Sequence, residues 1–441
     1  MSEDLSSKSV CICDDGQFAE VAVRLSKEFG RVYFHNPSLI EGFPKIPKNS
    51  IGKGFDEFTW VRDLWTIKDK VDLFVFLDCQ NAGLQAELES QGKRVIGSRT
   101  AESLEQDRIG FKKIQERLGL HVPVHAVVHG LGALREHLNG VEDKWVKFNR
   151  YRGSFETQHH INSKLSGPWL DALAVELGPM ANLIEFLVED PIRGAVEIGY
   201  DGFCFNGQFP PKTLFGPEIK SKCYIGSVVN YEDMDERIRA VNEALAPELA
   251  KAGYRNFFST EIRIADGDDN FEDGEPVLIE PTCRIPSPPF EAELEIYGNL
   301  GAMLWHGSVG EVIEPEMTDK FAVACRVSHD DDSKGWRAIQ LEDDVRQWVK
   351  LYDACYVDET FWISPKEPHA QRIGCIVGIG PTIEDAIEHC REVREAIKDQ
   401  PVSSEFDALV DALKELQNAK EQDIEFGKQP IPEPAIVLEE A

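Results

Sequence analysis

The feature that most constrains the fold is a rhythm in the first hundred residues, where short unbroken apolar runs alternate with stretches of helical spacing. The runs are Ser9–Cys13 (SVCIC), 31–34 (RVYF), 71–77 (VDLFVFL) and Arg94–Ile96 (RVI), with helical spacing over 17–29 and 81–91. A strand apolar on both faces has to be covered on both, which predicts a parallel sheet sandwiched between helices. The loop Asp14-Asp15-Gly16 falls where the first strand ends and a helix begins, the edge at which such sheets bind ligands. It is not GxGxxG, so a dinucleotide site has no support.

The rest of the chain changes character. Residues 100–118 read as one helix, with Thr100 as N-cap and Leu104, Phe111, Ile114 and Leu118 as its apolar stripe. Pro123 ends that element. From 144 to 289 strands dominate (145–148, 183–189, 194–200, 203–205, 257–265, 276–280), interrupted by helices over 167–177 and 233–252. This is an α+β block with antiparallel character. Past about residue 315 a smaller α/β unit is expected. Its strands are 321–327, 360–363 and 372–377, and its amphipathic helix over 382–398 carries Thr382 and Asp385 as a capping pair. A helix over 405–419 precedes a Pro- and Glu-rich tail that reads as unstructured. The expected division is therefore 1–99, 100–314 in two lobes with a hinge near 185–192, 315–400, and 401–441.

Charge narrows the partners. The 47 Lys and Arg against 78 Asp and Glu leave a net of -31, a field that repels nucleic-acid phosphates and anionic membranes. No apolar run approaches the length of a bilayer span. The opening Met-Ser-Glu-Asp is acidic and polar, unlike a secretory or mitochondrial signal, so a soluble, cytoplasmic protein is expected. The ten cysteines form no CxxC pair and read as reduced, buried thiols.

Against this acidic background three segments carry chemistry. Glu261 and Glu280 each lie in an apolar strand, joined by the acidic turn 266–274 as in a hairpin. Two adjacent strands bearing carboxylates make a site for a hard divalent cation whose other ligands are phosphate oxygens. Strand alternation returns Thr282 and then Arg284 to the face of Glu280. Lys147, inside Trp145-Val146-Lys147-Phe148, precedes a short basic loop containing Gly153, and a lysine beside glycine amides suits nucleotide phosphates. The strand ending at Val188-Glu189 and the later Glu197 could offer backbone groups to an adenine edge and a carboxylate to a ribose.

Taken in order, Asp107-Arg108, Lys147, the Gly153 loop, Val188-Glu189, Glu197, Glu261 and Glu280-x-Thr282-x-Arg284 resemble the ATP-grasp superfamily. The segments around Gly83 to Lys112 and 374–387 are similar to the phosphoribosylamine–glycine ligases. The resemblance implies an ATP-grasp fold with an N-terminal Rossmann-like domain and a small C-terminal α/β domain. It implies a magnesium- and ATP-dependent carboxylate–amine ligase that forms an amide through an acyl phosphate and releases ADP. By that resemblance Arg108, Lys147 and Gly153 hold phosphates, and Val188 and Glu189 form the adenine hinge. Glu197 contacts ribose, Glu261, Glu280 and Thr282 hold metal, and Arg284 and Lys147 act in catalysis. The partners would be a small carboxylate and a small amine, and a homo-oligomer stays open. Two departures bear on the substrate. Thr282 stands where the family carries asparagine, and Asp14-Asp15 replace a glycine-rich phosphate loop. Both leave room for a ligase acting on an amino acid, a peptide or a modified base, or for an ATP-binding module without turnover.

Overall fold

The structure, a computed structural model, describes residues 4–14, 17–36, 50–150, 157–330, 335–365, 372–426 and 430–438. The apolar runs of the first hundred residues form a five-stranded parallel sheet of Ser9–Cys13, Arg31–His35, Thr59–Val61, Leu73–Phe76 and Arg94–Ile96. The spatial order is third, second, first, fourth, fifth. Val10, Cys11, Ile12, Phe74 and Val75 are wholly buried, as strands covered on both faces require. The order reverses at the first strand. The carboxyl ends of Ser9–Cys13 and Leu73–Phe76, bearing Asp14 and Asp78, therefore border the crevice where such sheets bind ligands.

Residues 100–118 are not one helix. The turn Arg99–Ala101 and the helix Glu102–Gln106 end at Asp107, whose backbone leaves the helical region at φ -109°, ψ 81°. A second helix, Arg108–Arg117, starts there, and the Asp107 carboxylate accepts from the Gly110 amide at 3.0 Å. Asp107 is thus the N-cap, in place of Thr100. The apolar stripe runs through the break, so periodicity alone could not see it.

A four-stranded antiparallel sheet follows, in the order His125–His129, Glu185–Glu189, Lys144–Phe148, Thr157–His160. Val128, Val146, Phe148, Phe186 and Val188 point to one face and pack against Leu134, Leu170 and Leu173 of helices Leu131–His137 and Ser163–Leu177. The other face carries Lys147, Leu187 and Glu189.

The largest sheet runs Asp273–Thr282, Arg255–Asp266, Gly194–Phe205, Lys212–Gly216, Cys223–Asn230, Phe321–His329, Arg372–Gly380, Val349–Leu351. Gly194–Phe205 is one strand of 12 residues instead of two, and neither Lys212–Gly216 nor Cys223–Asn230 was expected. The sheet crosses the division anticipated near residue 315, since Cys223 lies opposite Cys325 and Ser227 opposite Phe321. Helix Glu236–Lys251 packs behind the hairpin, where Thr260 donates to Asn242 at 3.2 Å. Helix Pro289–Ile296 lies on the other face, above Asp201.

The tail is more ordered than its composition suggests. Ile424 and Phe426 are buried, Phe426 stacks on Phe215 with ring centroids 5.0 Å apart, and Ala435–Leu438 forms a helical turn. Two aromatic or branched side chains suffice to dock a segment whose average composition is polar. All ten cysteines are buried free thiols. Among the described residues, no helix is long and apolar enough to cross a membrane.

Candidate functional site

Two sets of charged side chains face each other between the small and large sheets. On the small sheet, Trp145 pairs with Glu189 and Lys147 with Leu187. Directly opposed residues share a face, so Lys147 and Glu189 project together, away from the apolar core. Lys147 and Lys112, the latter from helix Arg108–Arg117, each bring Nζ within 2.7 Å of the Glu189 carboxylate. Burial pushes that carboxyl up, but the two ammonium groups outweigh it and hold it at about 2. Burial lowers Lys112, and Glu189 opposes that shift.

Arg108 links the two sets. It donates to the Phe148 carbonyl at 2.9 Å and stands 3.6 Å from Glu280. On the large sheet Glu280 lies directly opposite Glu261, with an irregularity immediately beyond, and Glu261 lies opposite Gly199. A Cβ at position 199 would meet the Thr260 carbonyl oxygen at 1.9 Å, so the strands approach this closely only because residue 199 is glycine. Glu197, two residues away on the same face, pairs with Arg263. Burial and the neighbouring Glu197 charge push the Glu261 carboxyl well up, whereas contacts with Glu261 and Arg263 hold Glu197 below its usual range against its own burial. Lys220 stands 3.7 Å from Glu261, which raises the pKa of its ammonium.

The expected residues therefore fall in two places. Arg108, Lys147, Glu189, Glu197, Glu261 and Glu280 gather around the gap between the sheets. Thr282 is one side-chain step along from Glu280, opposite Ser259. Val188 turns its side chain into the small lobe's core, and both Val188 and Glu189 lie in a strand paired on either side. The connection between the lobes is the segment 190–193 just beyond, where Asp190 takes an ion pair from Lys144 at 2.5 Å. Arg284 does not continue the alternation from Glu280, because the strand ends at Thr282. It turns to the crevice of the parallel sheet, 3.0 Å from Glu105 and 3.7 Å from Asp78. There Asp14 accepts from the Phe18 amide at 2.8 Å. Gly153 and Asp15 lie outside the described residues.

Lys112, Lys220, Asp201, Glu218 and Glu293 were not singled out as site residues from the sequence. Lys112, followed directly by Lys113, reads in sequence like any solvated lysine. Lys220 and Glu218 follow Gly216-Pro217, a pattern that reads as a turn.

The residues present suit a nucleotide with a hard cation. Arg108, Lys112, Lys147 and Lys220 offer four cationic groups around the gap, and Glu261 and Glu280 offer paired oxygen ligands. Among the described residues no three His, Cys, Asp or Glu side chains converge to hold a metal by themselves. Phosphate oxygens would have to complete the shell, as is usual for magnesium.

No family model and no curated protein matches this sequence. Solved structures do match. Phosphoribosylamine–glycine ligase from Thermotoga maritima superposes with a TM-score of 0.64 at 15% identity, over 90% of this chain and 97% of that one. N5-carboxyaminoimidazole ribonucleotide synthetase from Thermotoga maritima gives 0.57 at 12%, over 90% and 99%. The N5-carboxyaminoimidazole synthase from Aspergillus clavatus, in complex with ADP and 5-aminoimidazole ribonucleotide, gives 0.57 at 13%, over 89% and 99%. The chain shares the fold of these enzymes over about nine-tenths of its length.

Proposed function

We propose that this protein is an ATP-dependent carboxylate–amine ligase that forms an amide through an acyl phosphate and releases ADP. The observation that carries this reading is the Glu261/Glu280 pair, in register on adjacent strands, facing the Lys112 and Lys147 ammonium groups across the gap between the sheets. The ligase fold of the structural neighbours supports it.

In this reading Arg108, Lys112, Lys147 and Gly153 hold the ATP phosphates. Glu189 keeps both lysines charged and aimed until phosphate arrives. The adenine edge is met by backbone at the end of the Val188-Glu189 strand and along 190–193, and Glu197 borders the ribose and the acidic row. Glu261, Glu280 and Thr282 would hold magnesium, which would neutralise phosphate charge and polarise the transferred group. A substrate carboxylate oxygen attacks the γ-phosphorus, the bond to the bridging oxygen breaks, and ADP leaves. Lys147 stabilises the charge that develops there. The amine then attacks the acyl carbon, the bond to phosphate breaks, and the amine gives up a proton. Arg284, held by Glu105 and Asp78 at the crevice, orients the carboxylate substrate. Asp14 and Asp78 at that edge disfavour a phosphorylated acceptor, so the amine is unphosphorylated.

ATP with magnesium at about a hundred times its dissociation constant should stabilise the fold by ~2.7 kcal/mol. Glu280→Gln should keep the fold and lower ADP release by about 100-fold or more. No melting shift with millimolar ATP and magnesium, or an undiminished rate in Glu280→Gln, would overturn the reading.

A further inference from the structure

In the ligase reading the hinge 190–193 meets the edge of the base, and the two faces of the base need partners of their own. The hinge has little to spare for more than an edge. The Asp190 amide donates to the Val124 carbonyl at 2.9 Å, and Pro191 has no N–H to give. The Ile192 carbonyl accepts from Arg263 at 3.2 Å, and the Arg193 carbonyl from the Asp266 amide at 3.0 Å. Half of the backbone donors and acceptors in these four residues are thus absent or already engaged.

Two planar side chains border this same segment, one from each lobe. Trp145 lies opposite Glu189, the residue before the hinge, and one side-chain step, about 7 Å, from Lys147 on the same face. Its neighbour Lys144 pairs with Asp190 at 2.5 Å and so fixes this end of the strand to the hinge. The indole is partly exposed. His159 backs one side of it, with ring centroids 4.6 Å apart and planes 12° from parallel, and is itself held by Asp143 at 2.8 Å.

On the large sheet Arg263 lies opposite Glu197 and two residues from Glu261, on the face of both. It stands one step nearer the hinge than the acidic pair, as Trp145 stands one step nearer than Lys147. Its guanidinium pairs with Glu197 and donates to Ile192, and its stem crosses Gly194, where an added Cβ would fall 2.4 Å from Cγ. Glu189 and Ile192 are three residues apart, so at most about 10 Å separates the points to which the two side chains are tied. A flat ring in contact at about 3.5–4 Å on each side needs about 7–8 Å between its neighbours.

We propose that the base of the nucleotide is held by its faces, against the Trp145 indole on the small lobe and the Arg263 guanidinium on the large sheet. The proposal rests on the nucleotide site of the ligase reading. Indole and guanidinium both stack on π systems, and a base resting on an aromatic side chain gains about 10- to 100-fold in affinity. Glu197 keeps the guanidinium turned to the hinge, and His159 keeps the indole upright.

The test is isothermal titration of the full chain with ATP and with tripolyphosphate, each with magnesium. Tripolyphosphate carries the phosphates without the base. The unmodified chain should bind ATP at least about 10-fold more tightly than tripolyphosphate. Trp145→Leu should weaken ATP by about 10-fold or more and leave tripolyphosphate unchanged. Arg263→Lys keeps the charge beside Glu197 but loses the plane, and should weaken ATP selectively in the same way. Trp145→Phe, which keeps a ring, should bind ATP as the unmodified chain does. Equal affinity for the two ligands in the unmodified chain, undiminished ATP binding in Trp145→Leu and Arg263→Lys, or an equal loss of both ligands in the two variants would overturn the proposal. Failure of the unmodified chain to bind ATP at all would instead sink the ligase reading, and the base site with it.

Discussion

Glu189 in the small lobe and Glu293 beneath the large sheet are both almost wholly withdrawn from water, yet their surroundings are opposite. Glu189 has two ammonium groups at 2.7 Å and is held ionised. Glu293 has neither oxygen partnered among the described residues, and burial, with the charges of Asp201 and Glu291, pushes its carboxyl well above the usual range. The difference teaches that burial alone does not set the state of a carboxyl; the sign of the neighbouring charge decides it.

Removing the paired carboxylate should have the largest effect. Glu189→Leu leaves Lys112 and Lys147 facing each other and should destabilise the protein by about 3–5 kcal/mol, read as a loss in denaturant midpoint at unchanged slope. A loss below about 1 kcal/mol would erase the contrast. Acid titration probes the same group. Its carboxyl is at about 2 in the folded chain against an ordinary 4.5, so its contribution is complete above about pH 4.5. It should be lost as pH falls toward 2, amounting to about 3 kcal/mol. Asp201, raised to about 7 from 3.8, runs the other way, with a penalty that begins above about pH 4 and is full above 7. Unfolding curves of Glu189→Leu and Asp201→Asn, taken from pH 3 to 8, should flatten opposite limbs of the profile.

Glu293→Met, an apolar replacement of similar volume, should leave stability unchanged or raise it by about 1–3 kcal/mol. A clear loss would show that Glu293 has a stabilising partner and would break the comparison at its other end. As a solvent-exposed reference, Arg135→Ala removes a 2.6 Å pair with Asp171 on the small lobe and should change stability by less than about 1 kcal/mol.

The parts of this arrangement that rest on local pattern were readable from the sequence. The parallel sheet follows from unbroken apolar runs, and the pairing of Glu261 with Glu280 follows from two strands joined by an acidic turn. What escaped depends on contacts distant in sequence. Strands Lys212–Gly216 and Cys223–Asn230 contain Gly216 and Gly226, which weaken strand propensity, yet a Cβ at position 216 would meet the Ile225 carbonyl oxygen at 1.8 Å. Tertiary pairing requires the residue that local propensity counts against. With those strands unseen, Glu218 and Lys220 had no face to belong to. Arg284 was placed by extending an alternation past the point where the strand stops. Glu293, one of three glutamates in a short apolar helix, reads as amphipathic until the helix is seen to be buried all round.

The continuity of the large sheet across residue 315 also bears on how the chain is made. Strand Cys223–Asn230 finds one neighbour at once, in Lys212–Gly216, but the other, Phe321–His329, is about a hundred residues further along. At ribosomal rates of about 5–20 residues per second, that edge waits for about 5–20 s before its partner emerges. During this time an apolar strand with open hydrogen-bonding groups is a template for another nascent copy. A truncation at residue 315 would make the wait permanent, so a shortened chain should be lost to aggregation even though most of the charged site lies upstream of the cut.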